Sequence, residues 1–272
     1  PLARAMVARI ERLLDGPVSL MEVCGTHTVA ISRYGPRSLL PEELTLLSGP
    51  GCPVCVTPLI EIDRAIAAAR APNTVVATFG DMMRVPGSES TLERERADGA
   101  DVRVVYSPME SIDIAGAEPD REVVFLGVGF ETTSPTIAAT IAAARRSSVG
   151  NLSVLPFFKR VPPALDMLAA VPGRALDGFI CPGHVSVIIG SDASIPVARD
   201  RRLPCVVTGF EPLDILAAIV MLLEQVAVVR KGGDAEVENQ YRRAVTPAGN
   251  PAALAVLDEV FEICDAEGRE IG

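Results

Sequence analysis

Val123-Val124-Phe125-Leu126-Gly127-Val128-Gly129-Phe130-Glu131-Thr132-Thr133-Ser134-Pro135 passes from an apolar strand, through a glycine-bearing turn, into a helix. The run 123–126 is short and carries no charge, the pattern of a strand buried on both faces. Thr132, Thr133 and Ser134 ahead of Pro135 are helix-capping chemistry, and the apolar spacing over 135–146 is helical. A strand that turns directly into a helix is half of a βαβ unit. The turn is not a dinucleotide fingerprint, because Thr132 stands where the third glycine belongs, although it remains able to hold an anion.

The same alternation extends in both directions. Leu2, Met6, Ile10, Leu13 and Leu14 share a helical face that Gly16-Pro17 ends. Further short apolar runs predict strands at 18–23, 44–47, 74–79, 102–106, 152–155, 178–180 and 205–207, and helices are predicted at 57–70, 162–171 and 212–230. Strands separated by helices imply parallel sheets, and this many strands divide more easily between two sheets than one. The expected fold is therefore α/β, with parallel sheets flanked by helices in two domains. Polar Glu118-Pro119-Asp120 suggests a boundary, giving domains over 1–118 and 119–235, with a C-terminal region over 236–272. A faint echo links Gly129-Phe130-Glu131 to Gly209-Phe210-Glu211, each between a strand and a helix. Both place a carboxylate at the carboxyl end of a strand, where open α/β sheets bind ligands.

The composition, 49% apolar and 22% charged over 272 residues, is that of a chain able to bury a core. A net charge of −10 leaves no basic surplus for nucleic acid or for anionic membrane surfaces. The longest apolar run, 215–223, falls short of the roughly 20 residues that span a bilayer, and no secretory pattern opens the chain. A cytoplasmic location is expected. Six irregularly spaced cysteines there read as core thiols, redox thiols or metal ligands.

Two cysteine clusters carry the chemistry. In Met21-Glu22-Val23-Cys24-Gly25-Thr26-His27-Thr28, Cys24 falls where a strand yields to a helix start, and amides at such a start favour thiolates. His27 lies three residues on, able to accept a proton or donate a hydrogen bond; the plainer alternative is a buried thiol beside a turn histidine. In Gly49-Pro50-Gly51-Cys52-Pro53-Val54-Cys55 the glycines and prolines shape a loop. Its spacing suits a reversible disulfide or half of a zinc site; Cys181, Cys205 and Cys264 are isolated, which favours redox chemistry. Cys205 reads as core, and Cys264 is expected on the last helix. Asp81 and Arg84, in the loop 78–88, either pair with each other or orient a ligand. His184, in Cys181-Pro182-Gly183-His184, shares with His27 a position in a strand-end loop.

Taken together, blocks 21–28, 49–55, 78–88, 129–136, 182–190 and 209–216, with Val237-Glu238-Asn239-Gln240-Tyr241-Arg242-Arg243 and Ala248-Gly249-Asn250, resemble the HypD family of [NiFe]-hydrogenase maturation factors. The resemblance spans nearly the whole chain in order. It implies two Rossmann-like domains facing each other across a cleft. It also implies a scaffold that builds an Fe(CN)2(CO) unit together with the small partner HypC, receiving cyanide from HypE. Cys24 matches the family's iron-binding cysteine, Cys52 and Cys55 its redox-active pair, and His27 the histidine beside the iron. Asp81, Arg84, Glu131, Thr132, His184 and Glu211 fall in the remaining motifs, of which those around Glu131, His184 and Glu211 line the family's cleft. Family members continue past the point matching Gly272 into a region that binds a [4Fe–4S] cluster, so the expectation is a fragment without that cluster. The alternatives from other classes are a thiol–disulfide oxidoreductase using Cys52 and Cys55, and a nucleotide-binding α/β enzyme using the 127–134 turn.

Overall fold

The computed structural model describes residues 2–171, 173 and 175–267. The chain opens with α1 (Leu2–Leu13), β1 (Val18–Glu22), α2 (Gly25–Tyr34), β2 (Leu44–Ser48) and α3 (Leu59–Arg70). It continues through β3 (Thr74–Thr78), α4 (Leu92–Ala97), β4 (Val102–Val104), α5 (Glu110–Ala117), β5 (Glu122–Gly127), α6 (Ser134–Arg146) and β6 (Leu152–Pro156). Then follow α7 (Val161–Ala169), β7 (Gly178–Pro182), α8 (Gly183–Ile189), α9 (Ile195–Arg201), β8 (Cys205–Thr208), α10 (Pro212–Arg230), β9 (Val237–Asn239) and α11 (Pro251–Val260). All strand pairs are parallel, in one sheet ordered β2-β1-β7-β8-β9 and another ordered β4-β3-β5-β6. The expected α/β class with two helix-flanked parallel sheets is what the chain adopts.

The division into units differs from the expected one. Residues 2–52 and 161–251 form the first compact unit, and residues 53–160 with 252–267 the second. The boundary expected at 118/119 lies inside the second unit, between α5 and β5. Glu118 there is tied by ion pairs to Arg103 and Arg121, so this polar stretch is a turn within one sheet and not a linker. The expected C-terminal region is shared: β9 completes the first sheet, and α11 belongs almost wholly to the second unit.

In the first unit β7 and β8 are buried along their whole length, as strands covered on both faces must be. Helix α10 covers that sheet. Its 19 residues are long and apolar enough to cross a membrane by composition alone, more than the apolar run suggested. Here Ile215, Leu216, Ile219, Leu222, Leu223 and Val226 pack with Ile10, Leu20, Ile180 and Val206 in the unit's core. In the second unit Phe125 and Ile137 join Val75 and Val123 on one side of the sheet, and Ile62, Ile66 and Leu126 pack on the other.

Candidate functional site

The order of the first sheet reverses between β1 and β7: β2 lies outside β1, while β8 and β9 lie outside β7. At such a switch point the connections leave to opposite sides, and the carboxyl edge of the sheet is open to a ligand. Cys24 follows β1 at this place, and His184 follows β7. The second sheet switches between β3 and β5, where Asp81 and Glu131 follow.

Cys24 is the half-buried N-cap of α2, with extended backbone (φ −144°, ψ 122°). A residue the sequence reading passed over holds it there. Glu22, 1% exposed, accepts the Cys24 amide at 3.1 Å on Oε2 and the Thr28 hydroxyl at 2.6 Å on Oε1. The available signal was a carboxylate inside the apolar run Met21-Glu22-Val23, which has to be hydrogen-bonded to be buried.

The loop after β2 is pressed against this turn. The Gly49 amide donates to the Glu22 carbonyl at 2.7 Å, and the Gly25 amide to the Gly51 carbonyl at 3.4 Å. A side chain on Gly51 would sit 2.7–2.8 Å from the Cys24 backbone, so only glycine fits. Cys52 follows directly and is half-buried. Cys55 is exposed, in the turn that precedes α3, where the Thr57 hydroxyl closes onto the Pro53 carbonyl at 2.9 Å. The pair therefore does not open the helix; α3 begins at Leu59, two residues later than expected.

His27 is fully buried. Its Nε2 donates to the Gly209 carbonyl at 2.9 Å, which leaves Nδ1 as an unprotonated acceptor without a hydrogen bond. Burial pushes its pKa down from 6.5 to about 4, against the carbonyls of Gly209 and Thr208, which pull it up, so the ring is neutral near pH 7. Phe210 lies between the two histidines, 4.6 Å from the His27 ring and stacked at 4.0 Å on the largely exposed His184, whose pKa is lowered by the partial desolvation of its ring.

Glu211 is exposed at the N-cap of α10; the carboxylate that the structure buries is Asp214. Asp214 accepts from Gln240 Nε2 at 2.8 Å and from both terminal nitrogens of Arg243. Burial raises its carboxyl pKa, but Arg243 and Gln240 more than offset that and hold it below the usual range. Neither Asp214 nor Gln240 was foreseen; a lone acid in the apolar helix Leu213-Asp214-Ile215 was the signal.

In the second unit Asp81 and Arg84 lie exposed on a short 3-10 turn, and Arg84 pairs with Glu93 at 3.2 Å, not with Asp81. Glu131 is 5% exposed and Thr132 is exposed. The capping read from Thr132–Ser134 is not made through side chains: Thr133 is the N-cap without a side-chain cap bond, and the amides of Thr133 and Ser134 bond instead to the Phe130 carbonyl. Cys181 and Cys205 are fully buried on adjacent strands, and Cys264 lies beyond the end of α11. Contact with Cys181, and then burial, push the Cys205 thiol up, consistent with a core role.

Fold and site together define a parallel α/β protein with a thiol, a second cysteine loop and a neutral buried histidine at a sheet switch point. A family model named HypD and described as the hydrogenase formation hypA family matches residues 1–272. The hydrogenase maturation factor HypD of Azotobacter vinelandii is 47% identical, over 99% of this chain and 73% of that protein. The HypD of Rhizobium leguminosarum bv. viciae is also 47% identical, over 100% and 72%, and that of Escherichia coli (strain K12) 44%, over 99% and 71%. The chain belongs to the HypD family of hydrogenase maturation factors.

Proposed function

We propose that this chain is the scaffold on which iron is held through Cys24 while the Fe(CN)2(CO) unit is assembled, shared with a HypC-type partner and supplied with cyanide by a HypE-type donor. The observation that carries the reading is the half-buried Cys24 at the sheet switch point, its amide fixed by a buried carboxylate and the Cys52 loop pressed on its backbone. Iron here is cargo. Low-spin iron carrying cyanide and carbon monoxide suits thiolate ligation. Cys24 gives one thiolate to iron that already carries cyanide and carbon monoxide, and the HypC-type partner is proposed to give another ligand.

Cys52 and Cys55 supply redox capacity: two thiols closing to a disulfide release two electrons and two protons. His27, neutral and buried, offers an acceptor at Nδ1. Glu131, Thr132, Asp81, Arg84, His184 and Glu211 belong to the strand-end loops of the two sheets and are proposed as binding groups. The thiol chemistry fits a reducing cytoplasm.

The test is infrared and iron analysis of the chain purified after co-expression with its HypC-type partner. The native chain is expected to carry iron with CO and CN stretches, and Cys24→Ala to lose them. Full retention of those bands in Cys24→Ala removes Cys24 as the ligand. A dithiol still able to cycle in a chain that never binds iron favours the thiol–disulfide oxidoreductase reading instead.

A further inference from the structure

The carbonyl that holds His27 belongs to Gly209, and the position of Gly209 is set by a polar chain that runs from buried Thr208 and Asp214 through half-buried Gln240 to exposed Arg243. The Gly209 amide donates to Gln240 Oε1 at 3.3 Å, and Thr208 Oγ1 lies 2.9 Å from the same oxygen. Gln240 Nε2 donates to Asp214 Oδ1 at 2.8 Å, which orients the amide: its oxygen must face Gly209. Arg243 grips both oxygens of Asp214, and its guanidinium lies over the Tyr241 ring at 4.5 Å. Any side chain at Gly209 would run into the Asp214 carboxylate, so the turn is packed as well as hydrogen-bonded.

This chain of bonds ends on one nitrogen of one histidine. A backbone carbonyl only accepts, so His27 Nε2 must carry the ring proton, and the tautomer is decided by where Gly209 points. Nδ1 is then a lone pair, buried and without a hydrogen bond. An unpaired acceptor in a buried site costs free energy unless something arrives to use it.

We propose that Asp214 and Gln240 are positioning residues: acting through the Gly209 backbone, they lock His27 in the Nε2-protonated tautomer and keep Nδ1 an unprotonated acceptor one helical turn from Cys24, a state on which iron loading at Cys24 depends. Arg243 holds Asp214 ionised and in place. The inference rests on the proposed role of the Cys24 site, but its first readout is independent of iron.

The chain contains two histidines, so 15N-histidine labelling of the full chain resolves every ring nitrogen. Long-range 1H–15N correlation spectra of the native protein are expected to show His27 with a protonated Nε2 and a bare Nδ1. A protonated Nδ1 or an even mixture overturns the proposal without any variant. Gln240→Ala is expected to give mixed tautomers and to lower partner-dependent iron loading by about tenfold or more, the range for lost outer-shell partners. Asp214→Asn, which keeps shape and removes the ion pair, is expected to shift both readouts in the same direction. Leu222→Ala, a core change in the same unit, is expected to lower stability yet keep the single tautomer. Mixed tautomers with undiminished iron loading, or a single tautomer in Gln240→Ala, would refute the positioning role. Cys24→Ala is expected to leave the tautomer intact, so loss of the iron reading and loss of this one are told apart.

Discussion

Gly51 has no side chain, and that is why the loop ahead of Cys52 lies against the backbone of the Cys24 turn. A Cβ there would lie 2.7 and 2.8 Å from the Cys24 carbonyl carbon and Cα, and backbone cannot swing aside as a flexible side chain would. Gly51→Ala should cost about 1–3 kcal/mol in urea unfolding, as overpacking does, and should weaken iron retention by moving the Cys24 turn. His27 makes a second claim at this scale. Its pKa is about 4 folded and 6.5 unfolded, so between those values the unfolded chain binds a proton that the folded chain refuses. Stability should be unaffected by this group above pH 6.5, fall as pH drops from 6.5 to 4, and lose about 3 kcal/mol in all. His27→Gln should flatten that slope relative to the native chain in urea melts at pH 7 and 5; parallel slopes would show the ring is not buried as described. Residue types with chemistry, such as Cys24 and His27, were legible in the sequence. Glu22 and Asp214 were not, because what distinguishes them from solvated acids is burial and partner geometry, set by segments far away in the chain.

At the scale of elements, β7 and β8 were legible because burial on both faces leaves an unbroken apolar run, and α3, α6 and α10 because their apolar spacing is helical and proline opens or precedes them. β9 was not. Val237-Glu238-Asn239 is a half-buried edge strand of three residues, recognisable only by its register on β8, Cys205 to Val237 and Val207 to Asn239. Its worth is positional, since the chain leaving β9 carries Gln240 directly to the Thr208–Gly209 turn. The element on which the first unit depends most is α10. Leu222 is fully buried against the sheet, and Leu222→Ala should destabilise by about 2–5 kcal/mol, measured by urea or thermal unfolding. A loss below 1 kcal/mol would mean that α10 is not the core helix assigned here.

At the scale of the molecule, the units are not consecutive stretches of chain. The first is built from residues 2–52 and 161–251, so β1 and β2 complete a sheet with β7, β8 and β9. Strand–helix patterns announce βαβ units but not which sheet each strand joins, so the order of the sequence alone favours 1–118 as one domain. Parallel pairing is what decides membership: Leu20 is opposite Leu46 on one side and Gly178 on the other. This gives the division a direct test in native-state hydrogen exchange of Leu222→Ala. Core strands exchange through the larger opening motions, and a core cavity lowers the free energy of the opening that exposes them. Leu222 packs with Leu20, Ile180 and Val206, which lie on β1, β7 and β8. Amides of Val18–Glu22 should therefore lose protection together with those of 178–181 and Cys205–Thr208, though the chain between β1 and β7 is the whole of α2 to α7. Amides of Thr74–Thr78, which pair only with β4 and β5, should lose less than β1 does. If β1 instead kept step with β3 and parted from β7, the units would follow the order of the sequence, and the switch point that places Cys24 beside the β7 and β8 loops would no longer describe this sheet.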